Sequence, residues 1–289
     1  MRSFIKLLRL HQWIKNGLIF LPILTAWYGP SHGEWLKGLA LFIALSCLAS
    51  TTYVINDFLD LESDKKNPQT SHRPLASGTV SLRQACVLGC MSFVLACIAM
   101  SALPFVLNLL LFLYVILSLS YSLKLKKIPI LDVLLLSVFY VLRIFMGLIL
   151  FNLELSLWLM GFAFFFFFSI GLIKRCSELY ALHKAGVEIN SRGYVVGDYN
   201  FLQMIGMASG VISIVIFTNY INSDVVASQY SSPVWLGGIS LVLFFGIVRI
   251  WFLQNRHTIV YDPVTFFLKD RVTYFILGLV GCFIFLAHT

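Results

Sequence analysis

Apolar runs of about twenty residues recur along almost the whole of this chain, and each is long enough to cross a bilayer as a helix. We place them at 15–29, 36–56, 82–102, 104–123, 130–151, 155–174, 201–221, 233–252 and 271–288. Only 12% of the residues are charged, against about 25% in a soluble domain. Such a chain cannot cover itself for water, so its solvent is lipid. The expected fold is all-α, a polytopic bundle of about nine transmembrane helices forming a single membrane domain over residues 1–289. The run at 15–29 is the shortest and holds Pro22. Many more spans follow it and no small-residue cleavage site stands out, so it is expected to stay as a span, not leave as a signal. The six cysteines form no CxxC pair and read as small packing residues.

Charge sets the expected orientation. With the N-terminus inside, every Lys and Arg except Lys37 and Arg143 falls in an inner segment or at its edge. That asymmetry is the positive-inside pattern. It predicts an inner-membrane protein with its N-terminus in the cytoplasm, its C-terminus outside and its polar chemistry on the cytoplasmic side. The net charge of +8 follows from this topology, and no nucleic-acid motif is present. Most acidic residues are also expected inside, which the rule does not require.

The second span runs into Asn56-Asp57-Phe58-Leu59-Asp60-Leu61-Glu62-Ser63-Asp64-Lys65-Lys66-Asn67-Pro68. On a helix Asp57, Asp60 and Asp64 fall within an arc of about 60°. Three carboxylates on one face repel unless a cation lies among them. Oxygen-only ligands suit Mg²⁺, which commonly bridges carboxylates to substrate phosphates. A solvated helix end paired with Lys65 and Lys66 is the plainer alternative, but acids at a membrane boundary are costly and tend to be functional.

This string, followed by His72-Arg73-Pro74-Leu75-Ala76-Ser77-Gly78, resembles the first signature of the UbiA superfamily of intramembrane prenyltransferases. The resemblance implies Asp57, Asp60 and Asp64 as catalytic residues that, with Asn56, hold Mg²⁺. That family usually carries a second acidic motif, DxxxD, after its sixth span. Here the region reads Lys174-Arg175-Cys176-Ser177-Glu178-Leu179. Lys174, Arg175 and Glu178 share a helix face, and two cations stand where carboxylates are expected. They form either an ion pair at a helix end or a phosphate site. The fifth span carries Asp132 and Arg143, eleven residues and about 16 Å apart on one face. A charge as deep as Arg143 must meet a partner or a polar cavity. Gly147 lies one turn further on.

These departures are similar to one branch of the superfamily, the polyprenyl-phosphate phosphoribosyltransferases. The similarity extends to the opening Leu10-His11-Gln12-Trp13-Ile14-Lys15-Asn16 and to Asp270-Arg271. The branch implies transfer of 5-phosphoribose from phosphoribosyl pyrophosphate to a polyprenyl phosphate, with pyrophosphate released. Lys15, Asn56, Arg73, Tyr121, Lys124, Arg143, Lys174, Arg175, Glu178, Arg192, Tyr194 and Tyr199 are then expected to bind substrate. A homo-oligomer is compatible with this reading. Two alternatives stand beside it. One is prenyl transfer from a polyprenyl diphosphate to an aromatic acceptor, which the missing DxxxD disfavours. The other is a transporter of anions or lipids, which a trio of aspartates would repel without metal. The last inner loop contains Tyr261-Asp262-Pro263 and Lys269.

Overall fold

The structure is a computed structural model. It describes all residues except 1, 27, 67–69, 185, 187–191, 224–225, 227–229, 259–265, 268 and 289, and leaves the side chains of residues 2, 63 and 66 undescribed. Pro68 of the acidic string and Tyr261-Asp262-Pro263 therefore lie outside the described residues. Every regular element among the described residues is helical, and eight helices are long and apolar enough to cross a membrane.

The chain gathers into two compact units, one formed by Met1–Leu125 with Leu142–Glu154 and the other by Lys126–Val141 with Leu155–Thr289. The first contains α1 (Arg2–Leu7), a 3₁₀ stretch (Leu10–Phe20), α2 (Leu21–Thr25), α3 (His32–Leu59), α4 (Leu61–Lys66), α5 (Leu82–Met100) and α6 (Phe105–Leu123). It also holds the later part of α7 (Leu131–Leu150), whose beginning belongs to the second unit. The remaining long helices are α8 (Leu157–Lys184), α9 (Tyr199–Ile221), α10 (Leu236–Asn255) and α11 (Arg271–His288), all in the second unit.

In the first unit α3 is the central element. Ser31 and Glu34 form a capping box at its start: the Glu34 carboxylate accepts from Ser31 N at 2.7 Å. Such a box supplies partners to backbone donors that the first helical turn leaves open. Buried residues lie on every side of the helix, from Leu41 to Val54, and many are small. A helix apolar all round belongs in an interior. α5 instead buries one stripe, Ala85, Gly89, Ser92 and Ala96. Small residues let helices approach closely where lipid provides no hydrophobic drive. The opposite face exposes Val87, Met91, Val94 and Ile98, and Cys86, Cys90 and Cys97 are exposed too. Of the cysteines read as packing residues, Cys47 and Cys176 do pack; the α5 cysteines do not, because the stripe beside them already fills the contact.

The expected first span is broken. Its residues form the 3₁₀ stretch and then the short α2, with Pro22 in the first turn of α2. Proline lacks the N–H that an α-helix would need there. The stretch is fastened by a backbone approach: a Cβ on Gly147 of α7 would stand 2.0 Å from the carbonyl oxygen of Ile19. Only glycine allows that contact.

In the second unit α8 packs chiefly on α9, around a core that includes Leu172, Cys176, Leu179, Leu202, Ile250 and Trp251. Trp251 Nε1 donates to Ser169 Oγ at 3.0 Å, and that hydroxyl donates to Gly206 O at 2.7 Å. Asp270 immediately precedes α11, and its carboxylate accepts from the backbone N–H of Thr273 at 3.0 Å.

Candidate active site

The acidic motif lies in the first unit. Asp57 occupies the last turn of α3, Asp60 terminates that helix, and Asp64 sits in α4. The helix breaks at Asp60, yet Asp60 N still donates to Asn56 O at 2.9 Å and Asp64 N to Asp60 O at 2.8 Å. The near-helical path keeps the three aspartates in register through the break. Asp57 and Asp64 are buried, while Asn56 and Asp60 are half-buried.

A buried carboxylate needs a partner, and arginine supplies it here. Arg9 Nη2 donates to Asp57 Oδ1 at 2.6 Å. Arg73 Nη1 donates to Asp64 Oδ2 at 2.6 Å and stands 3.6 Å from Asp57 Oδ1. Arg73 is held by the folding of its own loop. Ser77 N donates to Arg73 O at 2.9 Å, Val80 N to Pro74 O at 3.1 Å, and Gly78 adopts a left-handed φ of 71°. Leu75 and Val80 anchor the loop among Leu7, Val54 and Ala85.

Among the described residues, no three His, Cys, Asp or Glu side chains gather tightly enough to hold a metal by themselves. Asp57 and Asp64 nevertheless converge on one cationic centre, the Arg73 guanidinium. The donors are carboxylate oxygens, the set a hard divalent ion prefers. Convergence and donor chemistry together fit such an ion, with substrate oxygens completing its shell.

The QWxKN string is stitched to α3. Trp13 Nε1 donates to Ser50 Oγ at 3.0 Å, and Asn16 Nδ2 to Ser46 Oγ at 2.9 Å. Lys15 is half-buried between them in sequence. Arg143, reaching in from α7, donates through Nε to Asn16 Oδ1 at 2.8 Å and through Nη2 to Tyr114 Oη at 3.2 Å. The deep charge thus meets neutral polar partners. Tyr121 is half-buried in the last turn of α6, and Lys124, exposed, terminates that helix.

In the second unit, Arg175 is the centre of a separate cluster. Its side chain is 1% exposed, and its Nε lies 2.8 Å from Asp132 Oδ2. It also pairs with Glu178, which Arg192 Nε approaches at 3.8 Å. Tyr194 is buried, donates to Asp132 Oδ1 at 2.5 Å and accepts from Ile130 N at 2.7 Å. Burial, then the hydrogen bond to Asp132, raises the Tyr194 phenol above its usual range. Gly193, at φ 79°, brings this loop against Lys127 O, where a Cβ would stand at 2.9 Å. Lys174 and Tyr199 are half-buried. Asp132 and Arg143, placed together on one helix face by spacing, are thus taken up by different partners, each in its own unit.

The family model of the UbiA prenyltransferase family matches residues 18–269. The chain belongs to that family. This UbiA family member, with its apolar helices, is an integral membrane protein. It is 34% identical to the uncharacterized protein y4nM of Sinorhizobium fredii, over 97% of this chain and 55% of that protein, so it spans about half of y4nM. It is 28% identical to the nodulation protein NoeC of Azorhizobium caulinodans, over 97% and 92%. It is 24% identical to the decaprenyl-phosphate phosphoribosyltransferase of Mycolicibacterium smegmatis, over 98% and 92%. Among solved structures, the UbiA homolog from Archaeoglobus fulgidus bound to DMAPP and Mg²⁺ superposes with a TM-score of 0.70 at 18% identity, over 99% and 98% of the two chains. The fold of this family member is therefore UbiA-like.

One basic residue of the site escaped the sequence reading. Arg9 is one of the basic residues behind the expected topology and lies just before the Leu10–Asn16 string. Its pairing with Asp57 spans 48 residues, a distance that no local pattern encodes.

Proposed function

We propose that this protein transfers 5-phosphoribose from phosphoribosyl pyrophosphate to a polyprenyl phosphate. The observation that carries the reading is the cluster around Arg175. Where a second pair of metal-binding carboxylates would stand in a prenyl-diphosphate enzyme, the side chains are Lys174, Arg175 and Glu178, and Arg175 already engages Glu178. Few free carboxylates and many cations suit substrates that bring several phosphates. The full-length likeness to a decaprenyl-phosphate phosphoribosyltransferase supports the same assignment.

In this mechanism Asp57, Asp60 and Asp64, with Asn56, would hold Mg²⁺, which when bound would supply positive charge to offset that of the diphosphate. The bond from ribose C1 to the diphosphate oxygen breaks with its electron pair leaving on pyrophosphate. An oxygen of the acceptor phosphate forms the new bond to C1. That oxygen is already anionic, so the chain supplies no general base. Lys124, Lys174 and Arg192 hold phosphate oxygens, helped by Lys15, Arg73 and Tyr121. Arg175 and Arg143 position their neighbours from buried sites, and Tyr194 fixes Asp132. Tyr199 is assigned to the ribose hydroxyls. The one-sided distribution of the basic residues supports a reaction on the cytoplasmic side of the inner membrane.

The deciding experiment uses purified protein with Mg²⁺ and two parallel mixtures. One contains labelled phosphoribosyl pyrophosphate and polyprenyl phosphate; the other contains polyprenyl diphosphate and labelled hydroxybenzoate. Labelled lipid from the first alone is the expected result. Labelled lipid from the second alone would replace this reading with prenyl transfer.

A further inference from the structure

A cavity of about 440 Å³ opens in the first unit beside Asp57. Its volume lies within the usual range for small-molecule sites, roughly 300–1,000 Å³. Its walls come from α1, the turn after it, the start of the 3₁₀ stretch, the end of α3 and the loop following α4. They present Lys6, Arg9, His11, His72 and Arg73 around the single carboxylate of Asp57. Three permanent cations face one anion, and two imidazoles add further donors. Pro74 is the one apolar residue in the lining. Arg9 and Arg73 keep about a quarter of their side chains exposed, 26% and 28%, beside their contacts with the aspartates, and both line the cavity. Arg9 is also held over the Tyr53 ring at 4.6 Å, on a left-handed backbone with φ 51°. A non-glycine residue keeps that conformation only where its surroundings fix it. The guanidinium is therefore preset, not drawn from a mobile surface.

From this we infer that the cavity binds the phosphomonoester of a soluble phosphosugar. Resting on the function proposed above, that group is the 5-phosphate of the donor. A phosphomonoester dianion is matched by several cationic donors arranged around it. A lipid phosphate offers the same headgroup, but its chain needs apolar side chains next to the anion site, and Pro74 is the only apolar residue in the lining. This assigns Lys6, Arg9, His11 and His72 to substrate binding.

The test uses the full chain, purified, with ribose 5-phosphate titrated by calorimetry and with the KM of both substrates measured in the transfer assay. Lys6→Ala and His72→Ala remove exposed side chains, and Arg9→Lys retains a charge for Asp57. Each is expected to weaken ribose 5-phosphate binding about tenfold, the scale of one charge-assisted hydrogen bond. The KM for phosphoribosyl pyrophosphate should rise in parallel while that for polyprenyl phosphate stays within about twofold. A rise confined to polyprenyl phosphate would assign the cavity to the lipid headgroup and overturn the proposal. So would unchanged ribose 5-phosphate binding in all three variants. If the wild type transfers no phosphoribose, the reaction proposed above falls, and the titration still decides the cavity.

Discussion

Arg9 and Asp57 meet at 2.6 Å, joining the turn after the first helix to the end of α3. Asp57 is 2% exposed, and its charge is balanced by Arg9 with Arg73 just beyond. Replacing the carboxylate by its amide keeps the shape and one acceptor but removes the charge. Asp57→Asn is expected to lower kcat by at least about 100-fold at saturating Mg²⁺, the scale of losing a preorganised electrostatic contact. Steady-state turnover checks this; a near-normal rate would take Asp57 out of the chemistry.

The Gly147 contact yields a stability prediction. Its missing Cβ would meet the backbone of Ile19, which cannot rotate away as a side chain can. Gly147→Ala is expected to destabilise the folded protein by about 3 kcal/mol, the upper end of ordinary overpacking. Thermal unfolding in detergent gives the measurement. Gly17→Ala, where nothing lies within 4 Å, provides a control whose Tm should stay close to that of the wild type.

Arg175 and Lys174 should separate by readout. Removing one partner of a buried pair strands the other charge, at a cost of about 3–5 kcal/mol. Arg175→Met is therefore expected to lower Tm sharply, and Asp132→Leu added to it should recover much of the loss. Lys174→Ala should leave Tm nearly unchanged and raise the KM of a phosphorylated substrate. Equal stability of both single variants would refute the positioning role of Arg175.

Asp270 predicts a pH dependence. Burial alone would raise its carboxyl, but hydrogen bonds from Arg249, at 2.7 and 2.9 Å, and from Thr273 outweigh this and leave it below the usual range. A carboxylate lowered on folding adds stability above its unfolded value, near pH 4, and loses it as pH falls through the lower folded value. The wild type should thus exceed Asp270→Asn in Tm at pH 7, with the gap closing on acidification below about pH 4. A gap that stays constant between pH 7 and pH 3 would contradict the assignment.

Local patterns carried much of this architecture. Apolar runs marked α3 and the seven later spans, because helix length in lipid is set by bilayer thickness. The acidic string located the polar end of α3 since its three aspartates are near neighbours. The run at 15–29 misled because hydropathy measures solvent preference, not backbone hydrogen bonding, and Pro22 breaks the latter. Arg143 was legible as a deep charge, but its partners Asn16 and Tyr114 were not. Tyr194 was expected to bind substrate, and only the fold turns its hydroxyl onto Asp132. Such pairings join segments far apart in the chain, and periodicity carries no record of them.

The fastening of Ile19 beneath Gly147 also bears on the order of assembly. Asn16, next to that point, waits for Arg143, a residue 127 positions later. During synthesis the opening segment therefore emerges long before its anchor does. Until α7 arrives, the turn bearing Arg9 has nothing to clamp it from that side, and the nascent chain must shelter a half-made first unit through three earlier spans.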